Sequence, residues 1–272
     1  MSTAQILEAP TGAPAPAGPD VLEVIRGQAN RRAAVDPGLS GGLRAWLEDG
    51  LCGVDADVKQ PLVVTKQTIR GAGRGLDHQS VTFAIALGAL VDALFRQLVT
   101  LGRIDDPMHD GLSALEVDSR RAEVVRYVAR LGEADRLRLQ DELETQAAIM
   151  VSRWPRLSPA WMPRTQDRVA IPLAGGRVVL VGVIDLVIGS PSSGRASVGL
   201  VEVKSGRQRL EDRDDLRFYA LLETLRSGAP PFRIATFYAR TGQAVAEDVD
   251  DVLLASAVER VLAASYQPTE VN

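Results

Sequence analysis

The sequence predicts an α/β fold: a central mixed sheet carrying a β-meander, flanked by helices. Three observations predict it. "SVTFAIALGALVDALFRQLVTLG" (80–102) is apolar nearly all round, the mark of a helix enclosed in a core. Farther on the period changes, and "DRVAIPL", "RVVLVGVIDLVIG" and "SVGLVEVKSG" follow one another as strand candidates joined by "AGG" and "SPSSGRA". A further strand, "PFRIATFYART", lies between helical segments. The order is helices, then β-β-β-α-β-α, without an internal repeat.

In chain order, residues 1–20 form a Pro, Ala and Gly tail with too little apolar content to fold, and are expected to be disordered. Residues 21–272 form one domain with a helical N-terminal part, within reach of a chain that is 46% hydrophobic. That part has helical patterns at "VLEVIRGQANRRAAV" and "GGLRAWLEDGL", then a strand-like "PLVVTKQTI". After the enclosed helix, "SALEVDSRRAEVVRYVARL" and "EADRLRLQDELETQAAIMVSRW" read as one helix each. The meander follows. "EDRDDLRFYALLETLRSG" returns to helical spacing and stops at a glycine, and "AEDVDDVLLASAVERVLAAS" closes the domain as a helix. No uncharged apolar run reaches about 18 residues and no signal-peptide pattern opens the chain, so a cytoplasmic location without membrane attachment is expected.

The charges inside the strand candidates carry the chemistry. In "GLVEVKSG", Glu202 and Lys204 alternate with valine, so in an extended chain they share a face, roughly 6.6 Å apart. Asp185 interrupts the apolar "VVLVGVIDLVI", and carboxylates seldom sit in such a strand without a partner or a metal. If the two strands are meander neighbours, Asp185 and Glu202 approach within about 4 Å and repel by about 4 kcal/mol at an effective dielectric near 20. A cation relieves that repulsion. Magnesium takes hard oxygen ligands and needs only one or two protein carboxylates; there it would activate water and stabilise charge on a phosphate oxygen. Lys204 would orient or deprotonate that water, or offset charge in the transition state. A structural salt bridge between strands is the alternative for the Glu202–Lys204 pair. Lysine is scarce here, with only Lys59, Lys66 and Lys204 among 31 basic residues. Asp57 and Lys59 repeat the spacing in a polar, proline-bounded stretch and read as a surface loop.

"GVIDLVIG", "GLVEVKSG" and "DLRFYALLETL" together resemble the core of the PD-(D/E)XK nuclease superfamily, most closely its RecB-type branch. The resemblance implies a restriction-endonuclease-like core, with Asp185, Glu202 and the Val203 carbonyl as metal ligands and Lys204 as the catalytic lysine. It implies Mg2+, with Mn2+ able to substitute, and a nucleic-acid substrate, DNA by preference. Tyr219 matches the tyrosine of the branch's Q-x-x-x-Y motif, but Asp215 stands where glutamine is usual, which leaves the substrate contact of that helix open. Tyr219 also suits a buried helix face. Upstream, "GALVD" places Gly88 and Asp92 where the branch has G-x-x-x-H, so Asp92 is either a third carboxylate ligand or a partner of Arg96 one turn on. Gln166 falls near a place often held by an acid.

Weaker features complete the reading. Arg207, Arg209, Arg213 and Arg217 follow the E-x-K strand and either hold phosphates or form a solvated face with Glu211, Asp212 and Asp214. "GAGRGLDHQS" (71–80) lacks the G-K-[ST] ending of a phosphate loop, and His78 and His109 lack a third ligand at metal spacing. Cys52, the single cysteine, excludes the cluster-bearing relatives of CRISPR adaptation. No helicase motif is present, so any motor would be a separate chain. The net charge of -4 gives no global pull toward nucleic acid. Two function classes follow: a Mg-dependent DNA nuclease of repair, recombination, CRISPR-related or phage-defence systems, or a non-catalytic nucleic-acid-binding or accessory subunit of the same fold.

Overall fold

The computed structural model describes residues 20–27, 34–71, 80–192 and 194–266. Short helix α1 (Val21–Arg26) and α2 (Leu39–Gly50) precede β1 (Leu62–Val64), α3 (Lys66–Ile69) and the long α4 (Phe83–Leu101). Helices α5 (Pro107–Glu116), α6 (Ala122–Arg130) and α7 (Glu133–Arg153) follow. The remainder is β2 (Arg164–Leu173), β3 (Val178–Ile188), β4 (Gly199–Lys204), α8 (Asp212–Ser227), β5 (Arg233–Tyr238), β6 (Gln243–Asp248) and α9 (Asp251–Ser265).

The expected meander is present: β2 and β4 both run antiparallel to β3. Helix α8 then carries the chain across to β5, parallel to β4, and β6 turns back as the outer strand. The result is a six-stranded mixed sheet with a core on each face. Leu43 and Leu47 of α2, Leu221 and Leu222 of α8 and Leu254 and Val258 of α9 pack on one face. Ile25 of α1, Leu90 and Leu94 of α4 and Leu139 and Leu143 of α7 pack on the other. This three-layer, mixed-sheet α/β arrangement is that of a restriction-endonuclease-like fold.

Helix α4 is long and apolar enough to cross a membrane by length and composition alone, yet here it lines the second core, with Leu90, Leu94 and Phe95 buried. Thr82 caps its N-terminus and Gly102, at φ 73°, ends it in the left-handed conformation.

Several elements differ from their sequence patterns, each for a local reason. The strand-like "PLVVTKQTI" is a three-residue strand followed by a helical turn, because Thr65 and Thr68 close a reciprocal capping box at Lys66. The single helix expected over 113–131 is broken between α5 and α6, where extended Asp118 accepts a hydrogen bond from the Arg120 N–H and starts a new turn. Strand β6 falls partly within the last helical pattern, which begins only at Asp251 under the Asp250 cap. Asp57 and Lys59 form a local turn, as their polar surroundings suggested. The expected tail lies outside the described residues apart from Asp20, which caps α1. Most of 71–80, with His78, lies outside them as well.

Candidate active site

The sheet has a gap, and the candidate residues surround it. Along one edge of β3, β1 pairs with Val178–Leu180 while β4 pairs with Leu186–Ile188, so residues 181–185 face neither partner. Continuing the register one step past Leu186–Val201 would set Asp185 opposite Glu202, where the two strands part. The Val203 N–H, freed from the ladder, donates instead to Asp185 Oδ2 at 2.9 Å. On the other edge the β2–β3 ladder skips Gln166, whose φ of 54° is left-handed. That backbone costs about 1–3 kcal/mol in a non-glycine residue. It turns the Gln166 amide so that it donates to Asp92 Oδ1 at 2.9 Å and to Asp185 Oδ1 at 3.4 Å.

Side-chain alternation also slips at this point. Ile184 packs in the α8-side core while Leu186, two residues on, packs in the α4-side core. The slip falls at Asp185 itself, while the register continued past Leu186–Val201 already sets Asp185 opposite Glu202. Together with Lys204, Lys66, Asp92, Arg70, Arg121, Arg207 and Tyr219 they line one cleft of about 570 Å3.

One glycine lets a helix close on this cleft. A Cβ at Gly182 would meet Leu222 Cδ1 at 2.6 Å and Tyr219 Cε1 at 2.8 Å, so its absence admits the face of α8. At Gly88, α4 passes Ser205, whose Oγ would stand in ordinary contact, 3.4 Å, from a Cβ there.

The charges divide the floor of the cleft. Glu202 is 2% exposed, and its Oε1 accepts from Lys66 Nζ at 2.6 Å and from Lys204 Nζ at 2.9 Å. Burial works against its ionised form, but the two lysines outweigh it and hold the carboxyl at about 2. Lys204 also donates to Asp215 Oδ2 at 2.8 Å. Burial opposes its charge too, yet Glu202 and Asp215 prevail over repulsion by Lys66, so its pKa is raised and it is a cation at neutral pH. Across the gap, burial pushes the Asp185 carboxyl well above the usual range, and repulsion from Glu202 and then Asp92 adds to the effect. Asp92 moves up as well, chiefly by burial, with Arg96 and Arg121 pulling the other way from 3.9 Å each.

Of the residues read from sequence, Asp185, Glu202, Val203, Lys204, Asp92, Tyr219 and Arg207 meet in the cleft. Asp92 contacts both sides of its open question, since it shares Gln166 with Asp185 and lies near Arg96. Asp215 is buried behind the cleft and does not present itself to a substrate, because Arg70 grips it through Nε and Nη2 at 2.7 and 2.6 Å while Lys204 takes Oδ2. Tyr219 is 2% exposed, so the two roles weighed for it coincide: it is core and cleft wall at once. Arg217 is not brought to the cleft, being paired with Glu247 of β6.

Three cations were missed, one of them Arg121 beside Asp92. Lys66 and Arg70 enter from the α3 turn, far upstream of the meander, and the only sequence signal for Lys66 was the scarcity of lysine.

The donor set fits a divalent cation. Among the described residues, no three His, Cys, Asp or Glu side chains converge to hold an ion unaided. Two carboxylates suffice for an ion that keeps its waters, and Glu202 Oε2 is buried with no hydrogen-bond partner, an orphan oxygen beside the raised Asp185.

No curated protein matches the chain. Among solved structures, that of SSO0001 is matched at 12% identity over 81% of this chain and 83% of that one, with a TM-score of 0.30, and so distant a likeness carries no weight. A family model does match, that of the PD-(D/E)XK nuclease superfamily, over residues 68–268, well over half of the chain and including the whole meander and α8. With that match over the strands that hold Asp185 and Glu202, the chain belongs to the PD-(D/E)XK nuclease superfamily.

Proposed function

We propose that this chain is a divalent-metal-dependent nuclease that hydrolyses phosphodiester bonds, with DNA as its substrate. The observation that carries the reading is the orphan Glu202 Oε2 beside Asp185, with Lys204 bound to the same carboxylate from the side of the cleft. Asp185, Glu202 and the Val203 carbonyl would hold Mg2+ or Mn2+, and Asp92 would add its carboxylate or a water-mediated contact. When bound, that ion lowers the pKa of a coordinated water and stabilises charge on a phosphate oxygen.

The protein's own groups do the rest. Lys204, protonated at neutral pH and anchored by Asp215, is poorly suited to take a proton; it orients the attacking water and offsets charge that builds on the phosphate. Arg207 at the rim would hold a flanking phosphate. Gln166 keeps Asp92 and Asp185 in place through its strained backbone. Repair, recombination, CRISPR-related processing or phage defence, in the cytoplasm and alongside a helicase on a separate chain, would each use such an activity.

One observation favours a second reading, an accessory nucleic-acid-binding subunit: two of the protein's own cations, Lys66 and Lys204, already neutralise Glu202. Incubating the full chain with single- and double-stranded DNA in Mg2+, Mn2+ or chelator separates the two. Metal-dependent cleavage that is abolished in Asp185→Asn establishes the nuclease, and DNA binding without cleavage under either metal establishes the accessory subunit.

A further inference from the structure

Two ammonium groups converge on one carboxylate oxygen, and they are not held alike. Lys204 reaches Glu202 Oε1 and, on its other side, Asp215 Oδ2. Lys66 reaches Glu202 Oε1 at 2.6 Å and otherwise lies over the Tyr219 ring, 5.4 Å from its centroid. An aromatic face is worth about 0.5–2 kcal/mol to a cation, less than a buried carboxylate. If a divalent ion draws on Glu202 through the orphan Oε2, the charge that Oε1 offers both ammonium groups falls; Lys204 keeps its second ion pair, and Lys66 has no second one among the described residues. Its ammonium would then stand close to a doubly charged ion, with Asp185 and Asp215 acting on it at longer range.

From this asymmetry we propose that Lys66 is a positioning residue that couples ion binding to substrate binding: it holds Glu202 until an ion binds, and once an ion draws on that carboxylate it is turned over to a phosphate of the bound DNA. The inference rests on the nuclease reading above and adds the group that decides in which order the site fills. The superfamily match begins at residue 68, so Lys66 stands just outside it, delivered by the Thr65 capping box at the start of α3. The residue lines the wall of the cleft that also carries Arg70, and its side chain is 25% exposed, so its ammonium is within reach of a ligand entering from solvent.

The coupling is reciprocal, because whatever DNA does for the ion the ion must do for DNA. Without DNA, ion binding sets the Lys66 charge against the ion. With DNA, a phosphate takes over the role of Glu202.

Calorimetric titration of the full chain with Ca2+, with and without a short DNA duplex, tests this without any need for turnover. The parent is expected to bind Ca2+ about tenfold more tightly when DNA is present, within the usual range for coupled sites. Lys66→Met is expected to bind Ca2+ about tenfold more tightly than the parent in the absence of DNA, and DNA should then add less than about twofold. Lys66→Arg, which keeps the charge, should retain the parent's pattern. Should Lys66→Met fail to fold, Lys66→Gln provides the same comparison. Equal Ca2+ affinity of parent and charge-removed variant without DNA overturns the coupling and leaves the nuclease reading standing. If neither parent nor variants bind Ca2+ or DNA, the nuclease reading itself falls and the coupling with it.

Discussion

Asp185 and Glu202 face one another across the parting of β3 and β4, yet they are driven in opposite directions. Burial raises both. Glu202 is rescued by Lys66 and Lys204 and stays ionised down to about 2, whereas Asp185 receives a backbone N–H and a neutral amide and meets two further carboxylates. The identity of the side chain does not distinguish the two sites; the placement of three cations does, with Arg70 steadying Asp215 behind Lys204. One carboxylate is thus stabilised in place, and the other is kept in a position the fold alone does not favour. Groups of the second kind are where a ligand has most to offer.

The sharpest way to break this contrast is Asp185→Asn. It keeps an oxygen for the Val203 N–H but removes the charge, so cleavage is expected to fall by about 10³, read as a single-turnover rate. The same variant should be more stable than the parent by about 1 kcal/mol in thermal melts at neutral pH. The sign follows from the raised Asp185 pKa. The stability this group contributes is fully present below its ordinary 3.8 and is lost as pH rises through the raised folded value, so the advantage of the asparagine variant is expected to vanish near pH 3.8. An advantage that persists there would show that burial and repulsion are not its source.

Glu202→Gln should do the reverse and destabilise by about 3 kcal/mol, because it takes the ion pair from Lys66 and leaves Lys204 with Asp215 alone. Here the folded value is depressed, so the contribution is present above the ordinary 4.5 and is lost as pH falls toward about 2. Acid unfolding of parent and variant should therefore converge in that window.

Lys204→Ala is expected to slow cleavage by about 10² while Ca2+ affinity is kept or improved, since an ammonium is not a ligand. Cleavage at the parental rate would remove Lys204 from the mechanism. The smallest effect belongs to Gln166→Gly. Relief of the left-handed strain should raise stability by no more than about 1 kcal/mol, offset by the lost contacts to Asp92 and Asp185. A large fall in stability would mean that the amide, not the strain, dominates at that position.

The meander and its three charged residues were legible because strands and their punctuation are local, and because a carboxylate in an apolar strand stands out against its neighbours. Strand β6 was not legible: "QAVAED" is short and partly exposed, and it is a strand by pairing with β5, which no local pattern announces. Lys66 and Arg70 were missed for a related reason. Their carboxylate partners lie more than a hundred residues downstream, and only the fold joins β1 to the same edge of β3 that β4 occupies. Asp215 was found in the right helix but with the wrong neighbour, since the motif pointed to a substrate while the fold supplied Lys204 and Arg70. Arg217 looked like its companion in sequence, yet two residues along a helix turn a side chain to another face, and Glu247 claims it.

Gly182 acts as a depth gauge for the whole site. Its missing side chain sets how far Tyr219 and Leu222 can settle onto β3, and the helix that carries them also carries Asp215, the anchor of Lys204. A single added methyl at that glycine would strike the buried side chains of Leu222 and Tyr219, which must shift themselves or carry α8 away from the sheet. The displacement would arrive at the lysine as a lost tether, altering the chemistry from a cleft position with no side chain of its own to offer.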